Sequence, residues 1–504
     1  VRPPEPAPPP PPPWERRRQA AQAALDDARD GHARNRLGQF ATPPALARAL
    51  VRLGLNTLSP TAPIRFLDPS IGTGALYSAL LSEVGERPIE DALGVELDPL
   101  AFDHARALWA DTPLRLIPGD FTALTPAIAA TLVVANPPYV RHHHIPPADK
   151  ARLKERLLTQ TGTERSGLSG LYVDLLLLSL GWMAPGGVGV WLIPSELLDV
   201  GYAAAARRVL LERVTLTRVH RMDPNAPQFG DALVSSAVLV FEMRPPPADH
   251  HVTFTFGDLE RPTQTRLVPI AALSAATRWR RELTASPAQE GTPLGELFTI
   301  RRGVATGGNR LFVLREEQVE RLQIPPEFLT PLLPSPRLLG SDRVESRPDG
   351  APDLPNVHWL IRCDLPPEAL AEACPALWRH LQTGIPSVSS GYLCRHRSPW
   401  YSQERRAPAP IVCTYMSRAA RGRPFRFILN RSQAIAANVY LMLHPKPALS
   451  ERLAADPDLI ERLWAALNTL PAEALTHEAR VYGGGLYKLE PKELGAVRVK
   501  ISAI

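Results

Sequence analysis

A doubly wound α/β domain on a mostly parallel sheet is predicted for the amino-terminal half of the chain, from two observations. Short runs rich in Val, Ile and Leu recur from about residue 63, apolar at successive positions, and segments of helical spacing separate them. Strands of that kind are buried on both faces, which requires helices on both sides of a parallel sheet. A third observation, the length of 504 residues, exceeds the roughly 250–300 residues at which a single core stops growing, so a second domain is expected.

The elements follow in order. Residues 1–13 are a proline tract, expected to be extended or disordered because proline neither donates a backbone hydrogen bond nor continues a helix. "WERRRQAAQAALDDARDGHA" (14–33) has helix-forming composition and ends near a glycine. Strands are predicted at 63–70, 91–97, 114–120, 130–136 and 186–194, with helices over 75–84 and 99–110 between them, and a late strand at 232–243. The first domain is therefore placed at 14–247 and a connecting segment at 248–290, with the linker-like "RPPPADHH" (244–251) across their boundary. Residues 291–504 lack the repeating pattern and are expected to form a second, mixed α+β domain.

Composition narrows the class. The longest apolar stretch (171–193) contains Asp174, Pro185 and several glycines, which fits a helix, a turn and a strand rather than a membrane span. The amino terminus shows no apolar leader segment, so neither signal peptide nor anchor is expected. Four widely spaced cysteines fit a reducing compartment and no zinc framework. A cytoplasmic protein without a membrane partner is the expectation. Charge is uneven: residues 251–504 hold 32 Lys+Arg against 25 Asp+Glu, whereas residues 1–250 hold 25 against 26. Within 391–431 nine arginines face one acid, Glu404, a distribution that suggests a polyanion partner, although a solvated basic face would read the same.

In an open parallel sheet the binding crevice lies beyond the carboxyl ends of the strands. The first strand ends in "DPSIGTG", where Gly72 and Gly74 permit a tight turn and close approach to a ligand. The second ends at Glu96, about twenty residues on, where an acid can accept from both ribose hydroxyls. The third ends in Gly119-Asp120-Phe121, an acceptor beside an aromatic, and the fourth in Asn136-Pro137-Pro138-Tyr139. The triple histidine at 142–144 lacks carboxylate or cysteine partners nearby and is read as a loop, so no metal site is expected.

This set of strand ends resembles the S-adenosylmethionine-dependent amino-methyltransferases, and more closely the gamma class of N6-adenine DNA methyltransferases of the Taq and Eco types. The "F-x-T-P-P" segment of that class is matched by Phe40-Ala41-Thr42-Pro43-Pro44. The resemblance implies a Rossmann-like class I methyltransferase sheet with S-adenosylmethionine as cofactor. It further implies that Thr42, Asp68, Pro69, Gly72 and Gly74 hold the cofactor's methionine part, Glu96 its ribose, and Asp120 and Phe121 its adenine. Asn136 and the Pro137 carbonyl become acceptors for the target amine, Pro138 a stiffener of the backbone, and Tyr139 with Phe229 the stacking faces for an extruded base in double-stranded DNA. After "LY" (171–172) the family often carries a cofactor-contacting aromatic, whereas this chain has Asp174 and Leu175.

The carboxyl half resembles the target-recognition region of the Eco-type enzymes in "RRGVATGGNRLFVL" (301–314), "GYLCRHRSPWYSQ" (391–403) and "YMSR" (415–418). That likeness nominates Arg301, Arg302, Asn309, Arg395, Arg397 and Arg418 as DNA contacts. Because only about 35 residues, many of them proline, precede the core, any cleavage is expected to fall to a separate restriction endonuclease or defence-system subunit. Related "NPPY" motifs occur in protein-glutamine and RNA amino-methyltransferases, and the acceptors would also suit the N4 amine of cytosine.

Overall fold

The computed structural model of the chain describes residues 10–28, 38, 40–224, 226, 229, 235–275, 278–279, 282, 291–418, 423–482 and 486–500. Two compact units result: Val1–Ala285 with Tyr482–Gly484, and Ser286–Val481 with Gly485–Ile504. The proline tract through residue 9 lies outside the described residues, and Pro13 already starts the first helix, α1 (Pro13–Asp27).

After α2 (Pro44–Thr57), the first unit alternates β1 (Ile64–Asp68), α3 (Ala75–Glu83), β2 (Ile89–Glu96), α4 (Pro99–Leu108), β3 (Leu114–Pro118) and β4 (Ala130–Ala135). Both α2 and α4 begin on proline, whose fixed φ and missing N–H suit the first helical position. Then follow α5 (Pro147–Thr161), α6 (Leu171–Ser179), β5 (Met183–Pro194), α7 (Ala204–Arg213), β6 (Thr215–Met222), β7 (Ser236–Glu242), β8 (His251–Gly257) and β9 (Pro262–Pro269). One nine-stranded sheet results, in the order β3-β2-β1-β4-β5-β7-β6-β8-β9. Neighbours from β3 to β5 run parallel, in registers such as Leu67↔Leu93, Leu67↔Val133 and Val133↔Gly189. β7 runs antiparallel between β5 and β6.

Alternation along the strands divides the core between the two faces. Leu67, Val133, Trp191 and Ile193 pack with α6 on one side, and Phe66, Leu132, Val134 and Val190 pack with α2 and α3 on the other. Hence the strands read as continuous apolar runs. The segment expected to be a linker instead carries β8 and β9, which extend the same sheet. Three strands were absent from the sequence expectation: β6, interrupted by Arg218, His220 and Arg221, and the pair β8 and β9. The His220 ring is buried, bonded to Thr255 Oγ1 (2.9 Å) and to the Gly257 carbonyl (3.2 Å), so a polar residue fastens β6 to β8.

The second unit is mixed α+β. Its five-stranded sheet runs Phe298–Arg302, Tyr440–Pro445, Ile411–Thr414, Phe427–Asn430, Arg343–Val344. One face of that sheet buries Cys413, Phe427 and Leu443 against the helix Leu459–Asn468. The other buries Val412, Ile428 and Met442 in a separate core. All four cysteines are free and buried, and among the described residues no helix is long and apolar enough to cross a membrane.

Candidate active site

The carboxyl ends of β1 to β4 converge on one cavity of about 440 Å³, within the range of roughly 300–1,000 Å³ usual for small-molecule sites. Its wall runs from Pro69, Ser70 and Gly72 through Glu96, Asp120 and Phe121 to Asn136 and Pro138.

At the end of β1, Asp68 is buried and accepts from the Ser70 N–H at 3.1 Å. Burial, with the nearby Glu96 charge, pushes its carboxyl up to about 8 against the pull of that N–H. Gly72 has a positive φ of 55° and donates its N–H to Glu96 Oε2 at 2.7 Å, while Glu96 Oε1 accepts from the Asp98 N–H at 2.8 Å. Glu96 is thus fixed by backbone donors from two loops. Burial raises its pKa while those donors draw it back down. Gly74, also with positive φ, serves a different purpose from the one expected: a Cβ there would lie 2.3 Å from Trp109 Nε1, which donates to the Thr73 carbonyl. It seats a core indole, and it does not line the cavity.

At the end of β3, Asp120 caps the turn that follows by accepting from the Thr122 N–H (2.8 Å) and hydroxyl (2.7 Å), and its other oxygen pairs with Arg152 at 2.6 Å. The Phe121 ring lies 4.8 Å from Trp182. At the end of β4, Asn136 projects one residue past the strand. Its Nδ2 donates to the Phe40 carbonyl at 3.0 Å and to Thr42 Oγ1 at 3.1 Å, and its backbone carbonyl accepts from the Ser70 hydroxyl at 3.3 Å. Thr42 therefore contacts Asn136 and does not line the cavity.

Tyr139 and Phe229, expected as two faces around a base, touch each other edge to face at 6.3 Å, and both meet Phe40, at 5.8 and 5.5 Å. No base-wide gap separates them in this state. Pro137 is buried, and neither it nor Tyr139 or Phe229 lines the cavity.

Sequence reasoning missed part of the wall. Gln22, Leu25 and Asp26 of α1 line it, and α1 is tied to the glycine loop by a buried pair. Arg18 donates twice to Glu15 (2.7 and 2.8 Å) and once to Thr73 Oγ1 (3.2 Å), while Glu15 accepts from the Ser78 hydroxyl. Burial opposes ionisation of Glu15, but these donors hold its carboxyl below the usual range. The visible signal was an acid and a base three residues apart in a helix that opens the domain. Leu175 of α6 also lines the cavity, whereas Asp174 is buried in an ion pair with Arg165 at 2.7 Å. A cavity with mostly apolar walls and carboxylates at Glu96 and Asp120 fits a cationic ligand carrying a nucleoside, as S-adenosylmethionine does. Pro69, Gly72, Glu96 and Phe121 would hold it.

In the second unit the nominated residues separate into two kinds. Arg397 donates to the carbonyls of Ala305 and Thr306, both at 2.7 Å, and to Gln403 at 3.1 Å, so it braces the 303–309 loop from within. Asn309 belongs to the same brace, accepting from Thr306 Oγ1 at 2.6 Å. Arg302 donates to the Asn438 carbonyl and lies 4.3 Å over the Tyr415 ring. Arg301, Arg395 and Arg418 are exposed and make no side-chain ion pair among the described residues. Other arginines of 391–431 are engaged: Arg405 with Asp364, Arg406 with Glu404 and Arg426 with Asp342. Tyr401 is a core residue, and Trp400 packs on that core.

The strand order, with β7 inserted antiparallel between β5 and β6 and the cavity beyond the parallel strand ends, defines a class I S-adenosylmethionine-dependent methyltransferase fold. Residues 276–503 match the family model of the type II methyltransferase M.Eco57I, C-terminal domain. The type II methyltransferase M.XamI of Xanthomonas campestris pv. amaranthicola is 30% identical over 486 residues, 93% of this chain and 86% of the relative. M.AccI of Acinetobacter calcoaceticus, likewise a type II methyltransferase, is 23% identical over 92% of this chain and 85% of its own. Among solved structures, the type IIL restriction-modification enzyme MmeI in complex with DNA shares the fold, with a TM-score of 0.61 at 12% identity over 93% of this chain and 69% of that one. The chain belongs to the type II restriction-modification methyltransferase family, and is a DNA methyltransferase.

Proposed function

We propose that the chain methylates the N6 amine of an adenine rotated out of double-stranded DNA. The observation that carries this reading is the single cavity joining the glycine turn and Glu96 to Asn136 and Pro138. A cofactor held at one end and an amine held at the other would share one space. S-adenosylmethionine, when bound, supplies an electrophilic methyl group.

The chain's own residues deal with the amine. An aromatic amine is a weak nucleophile because its lone pair is delocalised into the ring. Acceptors placed at its two N–H groups, the Asn136 side-chain oxygen and the Pro137 carbonyl, draw those hydrogens out of the ring plane and localise the pair on nitrogen. Two consecutive prolines fix the backbone that carries both acceptors. No side-chain base is needed to raise the nucleophilicity. Rotating a base out of the duplex costs a few kcal/mol, and stacking of about 1–3 kcal/mol per aromatic contact offsets much of it. Tyr139 and Phe229 are the rings for that role, which requires them to part from their present contact and the Pro137 carbonyl, now off the cavity wall, to be reached through the space so opened. The exposed arginines Arg301, Arg395 and Arg418 would neutralise phosphates, and a separate endonuclease is the partner that such a methylase would protect against.

Incubating the protein with labelled S-adenosylmethionine and plasmid DNA, then mapping the modified base by single-molecule sequencing, tests the assignment. N6-methyladenine at one sequence context is the expected product; N4-methylcytosine, or label only in RNA or protein, would overturn it. Asn136→Ala should lower turnover about 10²–10³-fold with cofactor affinity intact by calorimetry.

A further inference from the structure

We propose that Gly38 together with the run Phe40–Thr42 forms a strap that sets the orientation of Asn136, and that Thr42 is a positioning residue for the acceptor. This inference rests on the reading of Asn136 given above. The side-chain amide of asparagine can face either way, and only one orientation presents oxygen to an incoming amine. Here the choice is forced. The Phe40 carbonyl, 3.0 Å from the amide, can only accept, so nitrogen must face it, and Thr42 Oγ1 at 3.1 Å takes the second hydrogen. Flipping the amide would set two oxygens against each other. With both hydrogens committed, Oδ1 accepts no hydrogen bond among the described residues and is left for the substrate.

The strap grips the other end of the motif as well. The Tyr139 N–H donates to the Gly38 carbonyl at 3.0 Å. Gly38 sits at φ 64°, and a Cβ there would lie 2.5 Å from the Tyr139 nitrogen, so the close approach needs glycine. Strap and motif thus meet at Asn136 and at Tyr139, on either side of the two prolines. Thr42 is itself buried and anchored just ahead of α2. Its hydroxyl does at a distance of 94 residues what proline does locally: it removes a freedom that the acceptor would otherwise lose on meeting substrate.

The test compares Thr42→Val with Thr42→Ser in the full chain. Valine keeps the shape and removes the acceptor. Misorientation of this kind is expected to cost about 10–100-fold in kcat, with the dissociation constant for S-adenosylmethionine, measured by calorimetry, within about twofold of the parent. Serine restores the hydroxyl and should recover most of kcat. Cofactor binding also reports that the variant is folded, and Thr42→Ala carries the same test should valine not fold. An unchanged kcat in the valine variant overturns the strap. So does a weakened cofactor affinity with full kcat at saturating cofactor, which would make Thr42 a cofactor contact. Asn136→Ala separates the two ideas: if it keeps normal turnover, the acceptor reading fails; if it is inactive while Thr42→Val runs at full rate, only the strap fails.

Discussion

The two units spend their charged residues in opposite ways. In the first, acids and arginines are buried and held by fixed partners: Glu15, Arg18, Asp68 and Glu96 around the cavity, with Arg165 and Arg207 elsewhere in the unit, are each at most 8% exposed. In the second, many arginines cluster in sequence, yet most of those with known contacts are occupied by carbonyls or single carboxylates at or near the surface. Charge density in a sequence therefore says little about which guanidinium meets a polyanion. Burial and the loop carbonyls around it decide.

The largest effect that would break this contrast lies in α1. Arg18→Ala leaves Glu15 buried without its ionic partner, a loss of about 3–5 kcal/mol, visible as a lowered urea midpoint. Replacing both Glu15 and Arg18 by leucine and methionine should recover much of that, because no buried charge is then stranded. A loss under about 1 kcal/mol for Arg18→Ala would show that the pair is as dispensable as a surface one. Next in size is Arg397→Ala. It strands the Ala305 and Thr306 carbonyls and should cost about 1–3 kcal/mol, with DNA affinity falling through the loosened loop and the salt dependence of binding unaltered.

How much of this was legible in the sequence follows the same line. The parallel strands of the first unit were, because Phe66, Leu132 and Val190 face one way and Leu67, Val133 and Trp191 the other, which leaves an unbroken apolar run. The strand ends were legible because a parallel sheet puts its crevice there. β6 was not, since a buried His220 satisfied by β8 looks in sequence like a polar interruption. Neither was the contact of Thr42 with Asn136: it joins residues far apart in the chain and depends on the docking of α2. The meeting of Tyr139 with Phe229 depends equally on tertiary packing. Arg397 and Arg418 read alike as letters, and only the carbonyls around the first distinguish them.

Asp68 gives a smaller effect with a defined sign. Burial foremost, then the Glu96 charge, raises its carboxyl to about 8 in the folded protein, against roughly 3.9 when unfolded. The folded state therefore keeps a proton that the unfolded state releases between about pH 4 and 8. Its stabilising contribution is full below that window and is lost as pH rises through it, with a slope of at most about 1.4 kcal/mol per pH unit. Subtracting the urea stability of Asp68→Asn from that of the parent at pH 5, 6, 7 and 8 isolates the term. A flat difference would mean that Asp68 is ionised when folded and that a buried carboxylate in the first unit is tolerated without a cationic partner, on the Ser70 N–H.

Arg418 should change stability least and discriminate best. It stands exposed on the strand Met416–Arg418, paired through its backbone with Leu486, and its side chain has no ion pair among the described residues. Removing it strands nothing, so Arg418→Ala should leave stability within about 0.5 kcal/mol. If the side chain neutralises a phosphate, the slope of log affinity against log salt should shrink by about 0.9 on double-stranded DNA, at every sequence tested. Arg397→Ala must then do the reverse, weakening binding at all salt concentrations with the slope kept. Should Arg397→Ala shrink the slope and Arg418→Ala leave it alone, the guanidinium held by loop carbonyls would be the one that meets phosphate. Occupation by backbone oxygens would then mark an arginine preset for DNA, and the contrast between the units would run the other way.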